Sequence, residues 1–131
     1  MEKDIPWARI ALRQSPDAIN LWIGNSHSVT ALHKDNYENI YVQIIGQKRF
    51  VLLPGLAYAC VAEKALRPAS YVRSKDGGLE ILEEDGDRVP FAIWDPDVGE
   101  GKEIETRYSK FARPMRVTLE ESDMLYLPAQ W

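Results

Sequence analysis

The sequence predicts a mainly β domain of the sandwich or barrel class, to which jelly rolls belong, with one or two short helices. Three observations predict it. Short β-favouring runs recur along the chain with turn signals between them. Strand-like and helix-like segments do not alternate as a parallel α/β sheet would require. No internal repeat is present that would build a solenoid.

The elements follow in order. Residues 1–19 are polar and punctuated by Pro6 and Pro16, with one short helix expected around Trp7 to Arg13. A β-rich core is expected over residues 20–131, the whole forming one partial domain. Leu21-Trp22-Ile23 is an apolar run closed by the turn signal Gly24-Asn25, and Val29 to Asp35 reads as a strand. Asn39 to Leu53 reads as a hairpin, with β-branched and aromatic residues on both arms and Gly46 at the bend. A helical turn is expected over Tyr58 to Leu66, then loop around Pro68 and Asp76-Gly77-Gly78. Val89 to Trp94 is a strand broken by Asp95-Pro96, and Val98 to Arg107 a charged, Gly-bearing loop. Met115 to Leu119 and Met124 to Leu127 close the series as two short strands. The sequence stops at Trp131, just past Pro128, without an element to cover its last edge, so a truncated domain is expected.

Of the 131 residues, 45% are hydrophobic, enough for one domain with a core. The net charge of −4, with scattered lysines and arginines and an acidic Leu79–Asp87 stretch, excludes the basic patch that a nucleic-acid partner needs. Cys60 is the single cysteine, so no internal disulfide forms; it lies in an apolar run and reads as a small buried side chain rather than a reactive thiol. The N-terminus lacks the plan of a signal peptide, and no apolar run is long enough to span a bilayer. No membrane partner is expected, and the protein is expected in the cytoplasm, with the nucleus as a second location.

The chemistry concentrates in Thr30-Ala31-Leu32-His33-Lys34-Asp35-Asn36-Tyr37-Glu38-Asn39. In an extended chain, residues two apart share a face, so His33 and Asp35 converge while Lys34 points away. An imidazole and a carboxylate are two of the three donors of a facial triad for a divalent first-row metal. Alone, H-x-D is equally a surface histidine beside a surface aspartate. Further on, Asn39, Tyr41 and Gln43 form a polar face in a strongly β-forming segment, as a pocket wall would. Lys48 has the parity of Phe50 and Leu52. A lysine on an apolar face is costly unless a buried anion compensates it; on parity alone, snorkelling to water accounts for Lys48 at least as well.

The run Asn20-Leu21-Trp22-Ile23-Gly24, the block Val29 to Tyr41, the hairpin Ile45-Gly46-Gln47-Lys48-Arg49-Phe50, the loop Arg67-Pro68-Ala69-Ser70-Tyr71 and the end Asp123 to Trp131 resemble JmjC-domain oxygenases. The resemblance runs over nearly the whole chain, is most specific in H-K-D-x-Y-E-N, least so over residues 72–112, and points to the lysyl-hydroxylase branch. It implies a partial double-stranded β-helix of the cupin, jelly-roll kind, and a dioxygenase using Fe(II) and 2-oxoglutarate. His33 and Asp35 match the family's iron ligands. Lys48 matches the lysine that pairs with the distal carboxylate of 2-oxoglutarate, Thr30 a hydroxyl donating to the same carboxylate, and Asn39 a polar residue of the co-substrate pocket. Strict alternation aims Thr30 away from His33, so its role needs a bulge.

The family pattern sets the third iron ligand, a histidine, just beyond L-P-A-x-W, where this sequence ends; His27 reads as a loop residue and a poor substitute. The resemblance implies a protein substrate, with lysines of GTP-binding proteins of the translation machinery as targets. This chain alone is then expected to be catalytically incomplete. Three alternatives stay open: a non-catalytic cupin-like binding module, a JmjC oxygenase with another target such as methyl-lysine, and the peptidase activity attached to the branch. No Cys-His or Ser-His arrangement supports the last.

Overall fold

The computed structural model describes residues 5–97 and 106–131. The expected loop from Val98 to Arg107 therefore lies largely outside the described residues. The chain divides into two compact units, Met1–Thr30 and Ala31–Trp131.

In the first unit, helix α1 spans Pro6–Leu12. Pro6 sits in its first turn, where a missing N–H costs nothing, and Arg13 ends it in the left-handed region at φ 54°. Leu21, Trp22 and Ile23 are exposed and belong to no strand. A local turn follows. The Ser28 amide donates to the Asn25 carbonyl at 3.0 Å and the His27 amide to Asn25 Oδ1 at 2.9 Å, the side-chain–backbone pattern that makes Asn a turn former.

The second unit is mainly β. Its strands are β1 Asn39–Val42, β2 Lys48–Leu52, β3 Glu63–Leu66, β4 Ala69–Arg73, β5 Leu79–Glu83, β6 Val89–Ala92, β7 Met115–Leu119 and β8 Met124–Leu127. They pair antiparallel as β1 with β8, β2 with β7, β3 with β6 and β4 with β5. This nesting is that of one long hairpin whose tip is the β4–β5 turn, the ribbon that folds into a jelly roll.

The expected Asn39–Leu53 hairpin is corrected by this pairing. Both arms form and the chain bends at Gly46, whose φ is +72°, but the arms ladder to β8 and β7 instead of to each other. The reason lies in the turns. Residues 43–47 are matched by a second turn at residues 120–123, so the two-stranded ribbon crosses from one sheet to the next as a unit. The Gln43 amide donates to the Asp123 carbonyl at 2.9 Å and the Ser122 amide to the Gln43 carbonyl at 2.7 Å. Gln47 Nε2 then bridges to the Glu120 carboxylate at 2.8 and 2.9 Å. Gly46 has open space where a Cβ would sit, so only its backbone angle resists substitution. Gly46→Val should therefore cost about 1–2 kcal/mol in urea unfolding and Gly46→Asn distinctly less.

Two further expectations change. Helix α2 is only Tyr58–Val61; Ala62 turns out at φ 51°, and Glu63–Leu66 becomes β3 because its backbone finds β6. The strand expected over Val29–Asp35 forms no ladder among the described residues, since no neighbouring strand takes its backbone groups.

The core of this unit gathers where β2 and β7 meet. Leu52, Leu53, Ala112 and Leu119 are buried, with Gln43 and Ser109 as the buried polar residues. Both polar groups are satisfied: Gln43 Nε2 donates to the Ile45 carbonyl at 2.6 Å and Ser109 Oγ to the Thr106 carbonyl at 3.1 Å. Cys60 is half-buried and unbridged. No helix among the described residues is long and apolar enough to cross a membrane.

Candidate metal and co-substrate site

Residues 31–38 form a segment that leads into β1 without a ladder and bends at Asn36 and Tyr37. Alternation nevertheless holds along it. His33 and Asp35 point to one side, with Nε2 and Oδ2 4.0 Å apart. Lys34 points to the other, its Nζ 3.5 Å from Glu63 Oε1 and 4.1 Å from the centroid of the Tyr58 ring. Lys34 thus ties the segment to β3 and α2 from behind. Lys34→Ala should cost about 1 kcal/mol in chemical unfolding, the sum of a weak ion pair and a cation–π contact.

Nδ1 of His33 lies 2.8 Å from the Ala31 carbonyl, which can only accept, so Nδ1 carries a proton, and in the neutral tautomer that this bond selects the lone pair stands at Nε2. That is how a ligating histidine is commonly oriented. Both side chains are about half exposed, His33 at 53% and Asp35 at 54%, and so are accessible to an ion. Two donors at right angles on one metal, each about 2.1 Å away, stand about 3 Å apart. A modest side-chain rotation closes the difference, and the pair fits two positions of a facial triad. Among the described residues, no group of three or more His, Cys, Asp or Glu side chains is placed to hold a metal.

The residues that the resemblance assigns to the co-substrate divide between the units. Asn39 opens β1 and Lys48 opens β2. Tyr41, on the Asn39 face, packs edge-on against Phe50, on the Lys48 face, with ring centroids 5.0 Å apart and planes at 77°. These two faces therefore look toward each other. Asn39 Nδ2 donates to the Tyr37 carbonyl at 3.2 Å, which leaves Oδ1 free to turn inward. Lys48 is half-buried, stands opposite the buried Leu119 in the ladder, and has no ion-pair partner among the described residues. Thr30 is exposed and is the last residue of the N-terminal unit, and His27, in the turn before it, is exposed as well.

Contacts that sequence reasoning missed hold the segment bearing His33 and Asp35 against β8 and the chain beyond it. The Gln130 amide donates to the Asp35 carbonyl at 2.7 Å, and Gln130 Nε2 donates to Asn36 Oδ1. Tyr126 on β8 donates its hydroxyl to the Glu38 carboxylate, a bond that pushes the phenol above its ordinary range. No local signal announces these contacts, because the partners are distant in sequence. An open depression of about 440 Å³ lies elsewhere, lined by Arg73, Ser74, Lys75, Asp76 and Glu80 at the β4–β5 tip. There the Ser74 hydroxyl, then the Gly78 amide, hold the Asp76 carboxyl below its usual value, which is turn chemistry and not a ligand site.

Comparison with known proteins shows the family. The model of the cupin-like domain matches residues 1–131. The chain belongs to the cupin-like domain family. It is 35% identical over 134 residues to the bifunctional peptidase and (3S)-lysyl hydroxylase JMJD7 of Homo sapiens, covering 100% of this chain and 41% of that protein. It is 38% identical over 136 residues to the lysine-specific demethylase JMJ32 of Arabidopsis thaliana, covering 98% of this chain and 39% of the relative. A third relative, JmjC domain-containing protein E of Dictyostelium discoideum, is 31% identical over 138 residues, again 98% of this chain and 39% of the relative. The cupin-like chain thus spans about two-fifths of the length of these relatives. The JmjC resemblance carried by H-K-D-x-Y-E-N is borne out by them, as is the mainly β, jelly-roll fold by the family match.

Proposed function

We propose that this cupin-like domain carries part of the site of an Fe(II)- and 2-oxoglutarate-dependent protein hydroxylase acting on lysine side chains. The observation that carries the reading is the His33–Asp35 pair, with the imidazole Nδ1 committed to Ala31 and Nε2 presented beside the carboxylate 4.0 Å away. When bound, Fe(II) and 2-oxoglutarate supply the oxygen-activating chemistry, and the protein supplies position and access.

In this reading His33 and Asp35 hold the metal. Lys48 receives the distal carboxylate of 2-oxoglutarate as a charge-assisted partner, sheltered on the face it shares with Phe50 and Leu52. Asn39 lines the same pocket, and Thr30, in the N-terminal unit, is the residue that the JmjC resemblance matches to a hydroxyl donor for that carboxylate. The JmjC resemblance implies a second imidazole as the third donor, which none of the described side chains near the pair supplies. The substrates are proteins, and GTP-binding proteins of the translation machinery are the class the JmjC resemblance implies. A cytoplasmic setting accords with that class.

A second lysine chemistry has a specific observation behind it, the 38% identity to a lysine-specific demethylase. The two readings differ in product. Incubation of this domain, in a form that supplies the third metal donor, with Fe(II), 2-oxoglutarate and candidate lysine-bearing or methyl-lysine proteins, followed by mass spectrometry, tests them together. A gain of one oxygen on lysine is the expected result. Loss of a methyl group with formaldehyde release would replace hydroxylation by demethylation, and neither product in the presence of bound metal and 2-oxoglutarate would leave a binding module.

A further inference from the structure

The segment bearing His33 and Asp35 has no strand ladder to hold it, so something else must fix the direction of the ligands. Continuing the β1–β8 register past Asn39 and Leu127 would set Asp35 opposite Trp131. The Gln130 amide reaches the Asp35 carbonyl instead, a slip of one residue. Gln130 accommodates the slip by adopting φ 73°, a left-handed angle that disfavours any residue with a Cβ. The Trp131 amide donates to the Pro128 carbonyl at 3.3 Å, so Gln130 occupies the third position of a tight turn, where glycine is the residue of least strain. A non-glycine held there calls for an explanation, and its side chain provides one, since Nε2 reaches Asn36 Oδ1. Gly55 closes over the turn from the other side: a Cβ built on it would meet Gln130 Cβ at 3.1 Å and the Gln130 carbonyl oxygen at 3.2 Å.

The geometry points to Gln130 as a positioning residue for the metal pair, its main-chain and side-chain amides clasping Asp35 and Asn36 so that the Asp35 carboxylate stays beside His33 Nε2. This rests on the metal reading of His33 and Asp35. Glycine at position 130 separates positioning from mere structure. It relieves the backbone angle while removing the side-chain clasp, so stability and metal affinity move apart.

The test is Co(II) titration of the full chain, followed by the visible d–d absorption, with thermal unfolding of each variant without metal. Gln130→Gly is expected to weaken Co(II) binding about tenfold and alter the band, the scale on which outer partners of metal ligands act, while its thermal midpoint holds or rises. Asn36→Ala should weaken binding to the same degree, and Gln130→Gly/Asn36→Ala no further. Gly55→Ala, which presses on Gln130 without touching Asp35, should do the same in part. Without metal, the Gln130 amide should exchange with solvent more slowly than that of Ala129. The inference is overturned if Gln130→Gly binds Co(II) as tightly as the parent while His33→Ala does not, or if any loss comes with an equal loss of stability. If His33→Ala binds like the parent, the metal reading itself fails, and the Gln130 amide exchange then judges the clasp separately.

Discussion

Asp35→Ala should reduce divalent-metal affinity by about a hundredfold or more while leaving the fold intact. Outer partners of a metal ligand are worth about 10–100-fold, and a donor oxygen in direct contact is worth more. Asp35 is about half exposed and its carboxylate braces no other element, so its removal strips a donor without opening a cavity. Its backbone carbonyl, the group Gln130 uses, remains. Isothermal titration with Mn(II) reads the loss, and an unchanged urea midpoint shows it to be local. His33→Ala should behave alike. An Asp35→Ala protein that bound Mn(II) as the parent does would remove the basis for a metal site here.

Lys48→Met should do two opposite things. The ammonium is half-buried on the face of Phe50 and Leu52, opposite buried Leu119, and has no ion-pair partner among the described residues. Keeping a charge there costs stability in the absence of an anion, so a thioether of similar length should leave stability unchanged or raise it by up to about 1 kcal/mol. If the ammonium is kept for the distal carboxylate of 2-oxoglutarate, its loss removes a charge-assisted bond of about 1.5–3 kcal/mol. That corresponds to about 10–100-fold in affinity. A more stable protein that binds 2-oxoglutarate less well is the signature of a residue retained for ligand binding. Equal 2-oxoglutarate binding by Lys48→Met and parent would return Lys48 to a lysine that merely reaches water.

These residues show how far the sequence carries. The apolar–polar alternation of Met115–Leu119 marks β7, the short apolar run Met124–Leu127 marks β8, and the β-branched and aromatic runs mark β1 and β2. What alternation does not carry is partnership. Asn39 pairs with Leu127 and Lys48 with Leu119, choices made by the nested ribbon and not by the nearest strand-like neighbour. Glu63–Leu66 holds poor strand formers and becomes β3 only because β6 offers it a ladder. β4 and β5 are not expected from the sequence: only a loop around Pro68 and Asp76-Gly77-Gly78 is read there, and the strands form because the turn at Gly77, φ +88°, lets the two flanking segments ladder to each other.

The site divides the same way. Convergence of His33 and Asp35 follows from their spacing in any extended backbone, whether or not it joins a sheet. The facing of Asn39 and Lys48 emerges only through the Tyr41–Phe50 contact, between strands that do not pair. The supports behind His33 and Asp35, Lys34 on Glu63 and Gln130 on Asp35, join residues far apart in the chain. No local pattern encodes such a contact.

The account turns on one linked site in which a metal at His33–Asp35 and an anion at Lys48 bind as one. Mn(II) titration monitored by electron paramagnetic resonance, with and without saturating 2-oxoglutarate, measures that linkage directly. The account predicts that 2-oxoglutarate tightens Mn(II) binding at least about tenfold in the parent chain and that Lys48→Met abolishes the tightening, since linked ligands share one coupling free energy. Mn(II) affinity that is indifferent to 2-oxoglutarate, or a 2-oxoglutarate effect that survives in Lys48→Met, would contradict it.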